Sequence, residues 1–537
     1  MLIAESLRQP LRATACLVAA LCLLGLILYI AGTPVFWGGF VAIMCFYILI
    51  FFVGAYAAAR GGTAETDQVL VAGRGIPLAI SVFTMSATWI DGGYVNGTAE
   101  YTASSGLAWV QAPWGYALSL IIGGLFFART MRRHRFRTML DPLAQRYGER
   151  VAALSFIPAL CGEVFWTAAI LTALGTTFAT VLGLDFDTAI ILSALIGITY
   201  TAIGGLWAVA LTDVVQLLFL FFGLYLILPF ILPHAGGLAQ VWADYSAQKG
   251  DLAWFFPPID GWRHEAWGNS FWLWCDQALL LIFGGIPWQV YFQRVLSARD
   301  ENTAVRLSVL SGFVCMLAAV PPIIIGMVGA TVDWQAAAGI AGPQETVLTL
   351  PYVIRYLTNP VVATIGLGAV AAAVMSSVDA SILSASSMAS WNVYRPLIQP
   401  NIGALGLARI LKRCVWIVGI AALLMALQIK SVYALWVLCS DLVYCILFPQ
   451  LVTALFDPKA NRYGALAGFG VSLLLRAGGG ELSLGLPCWL PYPMLTEAGV
   501  SLFPFRTLAM LSGLLTIIVV SRCTQRACPP QALRVVE

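Results

Sequence analysis

The sequence predicts an all-α protein embedded in a membrane, built from about thirteen spanning helices arranged as two sets of five plus flanking segments. Three observations carry that expectation. Of the 537 residues, 60% are hydrophobic and only 10% are charged, against roughly 25% charged in a soluble domain. Apolar runs of about twenty residues, the length needed to cross a bilayer, recur along the whole chain. Two of those runs are interrupted by glycine, and each interruption carries a tryptophan.

Taken in order, residues 1–36 form an N-terminal extension with an apolar run at 14–31. Arg8 and Arg12 precede that run, as in a signal segment, but no small-residue cleavage site is clear, and retention as an extra anchor is favoured. The main body occupies 37–522, and 523–537 is a short tail. Spanning helices are expected at 37–58, 76–98, 106–128, 152–181, 188–205, 208–232, 270–295, 306–330, 360–390, 404–428, 432–456, 462–476 and 506–522. Each is an apolar run bounded by charge or by proline and glycine. Arg129, Arg132, Arg133, Arg135 and Arg137 crowd one short loop, which the positive-inside rule places in the cytoplasm. Counting spans from that loop puts the two long gaps, 233–269 and 331–359, outside. The net charge of +3 gives no reason to expect a nucleic-acid partner. The partner that the composition does demand is the lipid bilayer.

The two interruptions are Ala87-Thr-Trp-Ile-Asp-Gly-Gly-Tyr94 and Phe283-Gly-Gly-Ile-Pro-Trp-Gln-Val-Tyr-Phe-Gln-Arg294. Unwound backbone at membrane depth is tolerated only where protein buries it or where it lines a cavity. Interrupted helices opening each of two five-helix sets, 76–232 and 270–456, are the mark of an inverted repeat whose binding site lies between the halves.

Trp89 and Trp288 stand at the breaks. Trp166 lies in Glu163-Val-Phe-Trp-Thr, and Tyr116 follows Pro113-Trp-Gly. Rings gathered inside a bundle hold a quaternary ammonium on their electronegative faces. Membrane packing and an interfacial belt are the competing reading for any one of the 18 tryptophans.

Acids within the apolar runs are costly unless paired or bound to a cation. Asp91, Glu163, Asp213, Asp276 and Asp379 are such acids, Asp213 following Gly204-Gly205. Asp379 lies in the hydroxyl-rich stretch Met375-Ser-Ser-Val-Asp-Ala-Ser-Ile-Leu-Ser-Ala-Ser-Ser. Ser376 and Ser377 offer oxygens to a hard cation, although small serines equally permit close helix packing. The three histidines, at 134, 234 and 264, and the twelve scattered cysteines have no metal-ligand or disulfide spacing. Most of the cysteines read as small core hydrophobes. No nucleophile–base pair or phosphate loop is visible, so an enzyme is the least favoured class.

Several stretches together resemble the high-affinity choline transporters of the sodium/solute symporter family. They are Ser-Ala-Thr-Trp (86–89), Gly-Gly-Tyr-Val-Asn-Gly-Thr-Ala-Glu (92–100), Gly-Leu-Ala-Trp-Val-Gln-Ala-Pro (106–113), Thr-Asp-Val-Val-Gln-Leu (212–217), Gly-Gly-Ile-Pro-Trp-Gln (284–289), Val-Met-Ser-Ser (374–377), Ser-Ile-Leu-Ser-Ala-Ser-Ser-Met (381–388) and Ser-Asp-Leu-Val-Tyr (440–444). The resemblance runs from about 37 to 522. It implies the leucine-transporter fold and sodium- and chloride-dependent choline uptake at the plasma membrane, with intracellular vesicles as a further location. It implies a substrate cage of Trp89, Tyr116, Trp166 and Trp288, closed by Trp436. It also implies sodium ligands at Ser376, Ser377 and the Ala373 carbonyl, and a second sodium site on Asp213 that Asp379 would join. No residue is assigned to chloride, and a homo-oligomer is compatible with the chain.

The chain departs from that pattern in one telling place. Relatives of this kind read Trp-Val-Gly-Gly-Gly where this chain reads Trp89-Ile-Asp-Gly-Gly. Asp91 therefore places a carboxylate beside the cage, or in an outer vestibule above it. The alternatives to choline uptake are symport of another small organic cation or solute, and an uncoupled substrate-gated sensor.

Overall fold

The computed structural model describes residues 2–60, 70–71, 74–203, 206–265, 267–496 and 499–535. Gly204-Gly205 lie outside the described residues. Helix dominates, and among the described residues the only β pairing is three isolated bridges. Every expected span is occupied by helix. In chain order the helices are α1 (Leu2–Ile30), α2 (Trp37–Arg60), α3 (Leu78–Trp89), α4 (Gly92–Ser104), α5 (Ala112–Ile122), α6 (Glu149–Leu182), α7 (Phe186–Ile203) and α8 (Leu206–Ile231). They continue with α9 (Leu238–Lys249), α10 (Ser270–Gly284), α11 (Gln289–Ser297), α12 (Glu301–Ala318), α13 (Val320–Thr331), α14 (Pro360–Met388), α15 (Ala404–Gln428), α16 (Val432–Leu442), α17 (Phe448–Phe456), α18 (Arg462–Gly478) and α19 (Phe505–Cys523). Among the described residues nine helices are long and apolar enough to cross a bilayer unaided.

Burial separates a centre from a periphery. The most apolar stretch of α14 is 81% buried and that of the 432–456 segment 89%, whereas α15 is 28% buried. The first two are therefore core elements surrounded by protein, and α15 faces lipid. The long α6 packs on α14, α16, α7 and α15. Cys315, Cys439 and Cys445 are buried as expected, but Cys22, Cys45 and Cys523 are exposed. In a membrane protein an apolar surface faces lipid, so a cysteine there costs little. The 233–269 segment packs around Trp109 and Trp114 at one end of α5, and the arginine-rich loop meets Ala298 and Glu301 at the other. The two lie at opposite ends of the bundle.

Both interruptions open the backbone. After α3, Ile90 N–H still bonds to Ser86 O at 2.8 Å, and Asp91 is then extended (φ −92°, ψ −177°). After α10, Gly285 and Ile286 turn, and Trp288 is extended (φ −110°, ψ 133°). The glycines permit close contact with neighbouring backbone. A Cβ on Gly92 would stand 2.3 Å from Val374 Cγ2 of α14, and one on Gly284 would stand 2.8 Å from Ser440 O of α16. Gly284→Ala therefore forces α10 away from α16. Overpacking of this kind costs about 1–3 kcal/mol, read as a lowered melting temperature of the purified protein in lipid nanodiscs.

Candidate functional site

The two breaks bring the predicted aromatics together. Trp89 closes α3, Tyr116 lies in the first turns of α5, Trp166 lies midway along α6, Trp288 precedes α11, and Trp436 lies on α16. The ring centroids of Trp89 and Tyr116 are 5.1 Å apart, those of Trp89 and Trp166 6.4 Å, and those of Trp89 and Trp288 6.4 Å. Trp166 and Trp288 meet edge to face at 5.5 Å, and Trp436 joins through Tyr116 at 4.9 Å. None of the five is more than 4% exposed. Trp89, Trp166 and Trp288 form a triangle small enough for one cation to lie within about 6 Å of all three rings.

Hydrogen bonds hold these rings in place. Trp288 Nε1 donates to Gly284 O across the second break at 2.6 Å. Tyr116 shares a hydrogen bond with the Ser440 hydroxyl. Trp166 Nε1 donates to Asp91 Oδ2 at 2.6 Å, and the Tyr94 N–H donates to Asp91 Oδ1. Asp91 is thus the N-cap of α4, fully buried, with one oxygen on the helix end and the other on a cage tryptophan. It lies against the cage rather than in an outer vestibule. Trp89 Nε1 is buried with no hydrogen-bond partner, so this indole N–H remains available to an acceptor.

A second cluster lies where α3 meets α14. Ser377 Oγ stands 3.4 Å from each of the carbonyl oxygens of Ala87, Thr88 and Ala373. Three carbonyls and a hydroxyl converging at a broken helix suit a small hard cation. Among the described residues no group of three His, Cys, Asp or Glu is placed to hold a metal, so hydroxyl and carbonyl oxygens are the donors on offer here.

Ser376 turns away from that point and donates to Asp213 Oδ1 at 2.5 Å. Thr84 donates to the other oxygen of Asp213, and Arg294 Nη2 lies 3.9 Å from it. Asp379 Oδ1 accepts from Thr201 at 2.6 Å, and its Oδ2 is buried without a hydrogen-bond partner. The structure therefore joins Ala373 with Ser377, Ser376 with Asp213, and Asp379 with Thr201.

Sequence reasoning passed over Thr84, Thr201 and Arg294. Arg294 was the legible one, because an arginine inside a broken membrane helix demands a partner. Glu163 accepts from Ser384, which ties α6 to α14 one turn from Trp166.

Two cavities lie elsewhere in the bundle. One of about 590 Å³ is lined by Tyr101, Gln277, Glu481, Phe505 and Arg506, and one of about 220 Å³ by Asp141, Trp391, Asn392 and Arg395 near the arginine-rich end.

Removing the Asp91 side chain has a measurable consequence. Asp91→Ala loses an N-cap, worth about 1 kcal/mol, and leaves a buried indole N–H unpaired, at about 1–3 kcal/mol. We expect a lower melting temperature than that of Asp91→Asn, whose amide oxygen still caps α4.

Comparison with known proteins agrees with this architecture. Residues 70–471 match the sodium:solute symporter family. The chain is 45% identical over 502 residues to high-affinity choline transporter 1 of Caenorhabditis elegans, covering 90% of this chain and 84% of that one. It is 46% identical over 502 residues to the human high affinity choline transporter 1, with the same coverage. Among solved structures it superposes on a substrate-bound, outward-open Na+-coupled sialic acid symporter with a TM-score of 0.76 at 19% identity, covering 93% of this chain and 99% of that one. The inward-facing form of Mhp1 follows at a TM-score of 0.52 and 15% identity, covering 84% and 92%. The fold is therefore that of the leucine-transporter-like sodium symporters, and the chain belongs to the sodium:solute symporter family.

Proposed function

We propose that the protein takes up choline by sodium-coupled symport across the plasma membrane, with chloride as a co-ion. The observation that carries this reading is the set of five buried aromatic rings at the junction of the two broken helices. A trimethylammonium group has no N–H to donate and is held by ring faces instead. The unpartnered Trp89 Nε1 is available to the choline hydroxyl oxygen. The names of the similar transporters support the same substrate.

Sodium is assigned to the carbonyls of Ala87, Thr88 and Ala373 with the Ser377 hydroxyl, and a second ion to Asp213 with Ser376 and Thr84. The first site uses the end of α3, whose last residue is the cage tryptophan Trp89. An ion that fixes this end therefore fixes a wall of the cage. Coupling follows when ion and substrate prefer the same conformation. The rings touch one another, so substrate entry requires them to part, and rocking of the two repeats supplies that motion.

Asp91 favours a second reading within the same class. A carboxylate beside the cage can accept hydrogen bonds from a protonated amine, which choline cannot offer, and it attracts any cation in a low dielectric. A transporter of a smaller organic cation would use it directly.

Uptake of radiolabelled choline with and without sodium tests the proposal. Accumulation should collapse when sodium is replaced, and sodium-independent uptake refutes the coupling. Trp288→Ala should abolish saturable uptake at equal surface amount, and retained uptake refutes the cage. Ser377→Ala should raise the sodium concentration for half-maximal uptake by about tenfold, a loss of 1.4 kcal/mol. In competition assays, Asp91→Asn should weaken choline and a protonated amine such as dimethylaminoethanol. An equal loss for both makes the carboxylate a general attractor, and a selective loss for the protonated amine favours the second reading.

A further inference from the structure

We infer that Asp441, Arg476 and Arg506 are positioning residues for the substrate cage, clamping it from α18 and α19, two helices outside both five-helix sets. Asp441, in the last turn of α16, is held on both oxygens. Arg476 of α18 donates through Nε at 2.5 Å and Nη2 at 2.6 Å, and Arg506 of α19 through Nε at 2.9 Å. Arg476 also reaches Glu481 at 2.9 Å and Gly480 O at 2.8 Å. Arg506 Nη1 lies 3.8 Å from Asp276 of α10. Asp276 in turn accepts from the Thr507 N–H at 2.7 Å and its hydroxyl at 2.6 Å. Tyr444 donates to that hydroxyl at 3.1 Å. Asp276, Asp441, Arg476 and Arg506 are all buried. One ionic network thus ties α10 and α16 to α18 and α19.

Those two tethered helices carry or hold three of the five cage rings. Ser440, the residue before Asp441, holds the Tyr116 hydroxyl, and Trp436 lies little more than one turn earlier on the same helix. On α10, Gly284 lies two turns after Asp276 and accepts the Trp288 indole N–H. Gly284 and Ser440 O are so close that a Cβ would not fit between them. The network touches neither Ser377 nor Ala373 nor the end of α3. It therefore sets the spacing of Tyr116, Trp288 and Trp436 without touching the assigned sodium ligands, and its loss should act on substrate affinity before ion affinity.

The inference rests on the cage reading of the preceding section, and its test separates the two. Wild type, Asp441→Asn, Arg476→Lys, Thr507→Val, Ser472→Ala and Trp288→Ala are expressed in cells, and uptake is divided by surface protein. Ser472 donates to Ala509 O at 3.1 Å and joins α18 to α19 without touching a charge, so it reports simple packing damage. Asp441→Asn and Arg476→Lys should raise the choline KM about tenfold or more, with the sodium half-saturation, measured with choline at the same multiple of each variant's KM, unchanged, and Thr507→Val should raise KM less. Ser472→Ala should leave KM at the wild-type value. A wild-type KM in the network variants overturns the inference, and so does a sodium half-saturation that rises in step with KM. Should the charge variants fail to reach the surface, Thr507→Val decides, and an unchanged KM there overturns the clamp. No choline accumulation by wild type sinks the cage reading itself, whereas lost uptake in Trp288→Ala beside unshifted network variants sinks only the clamp.

Discussion

The structure turns on the cost of breaking a helix inside a membrane. Backbone N–H and C=O groups at each break have no water to bond, and each one left unsatisfied costs several kcal/mol. The chain answers this at the N-terminal side of α4 with Asp91, which accepts the Tyr94 N–H. At the second break the Trp288 indole satisfies Gly284 O. The end of α3 is treated differently. Its last carbonyls, from Ala87 and Thr88, share one hydroxyl at 3.4 Å, so their hydrogen-bonding needs are met weakly. Lone pairs left poorly satisfied at one end of a broken helix and a well-capped start to the next half are two halves of one arrangement. The first leaves oxygen lone pairs exposed to the α14 hydroxyls, and the second fixes Trp166 beside the break.

Buried charge imposes the next constraint. Each acid within the bundle has found a donor: Thr84 and Ser376 for Asp213, Thr201 for Asp379, Ser384 for Glu163. Only some acids face arginine. Asp441 sits between two guanidiniums at 2.5–2.9 Å, whereas Asp213 has Arg294 no closer than 3.9 Å. Breaking a tight buried pair costs about 3–5 kcal/mol, so the Asp441 cluster behaves as a fixed joint. The contact at Asp213 is looser, and its carboxylate is held mainly by the Thr84 and Ser376 hydroxyls.

Much of this was legible in the sequence, because hydropathy and glycine placement are local signals. The extent of the helices followed from run length, and both breaks followed from Gly92-Gly93 and Gly284-Gly285 beside a tryptophan. Trp89, Tyr116, Trp166, Trp288 and Trp436 come together, as the repeat and the family pattern implied. What was illegible depends on side-chain direction. Ser376 and Ser377 are neighbours in sequence, but adjacent positions on a helix point about 100° apart, so one serves Asp213 and the other the α3 carbonyls. Asp379, three residues after Ser376, faces Thr201 instead. The span at 462–476 read as one more apolar helix, yet it carries a buried arginine. Its purpose appears only when Asp441, 35 residues away, is seen against it.

Asp91 shows why such a site resists simple retuning. A residue at an N-cap is chosen for its short acceptor side chain. Here one carboxylate caps α4 and also orients the Trp166 indole. A change that removes its charge therefore disturbs the start of α4 and one member of the ring cluster together. Asparagine keeps one acceptor at the same reach, so it retains the cap while giving up both the charge and the acceptor for Trp166. In a chain with glycine at this position, both the cap and the Trp166 acceptor would have to come from elsewhere. The ring triangle and the residue at the cap must therefore change together, and the geometry of the ring cluster is a property of the broken helix as a whole.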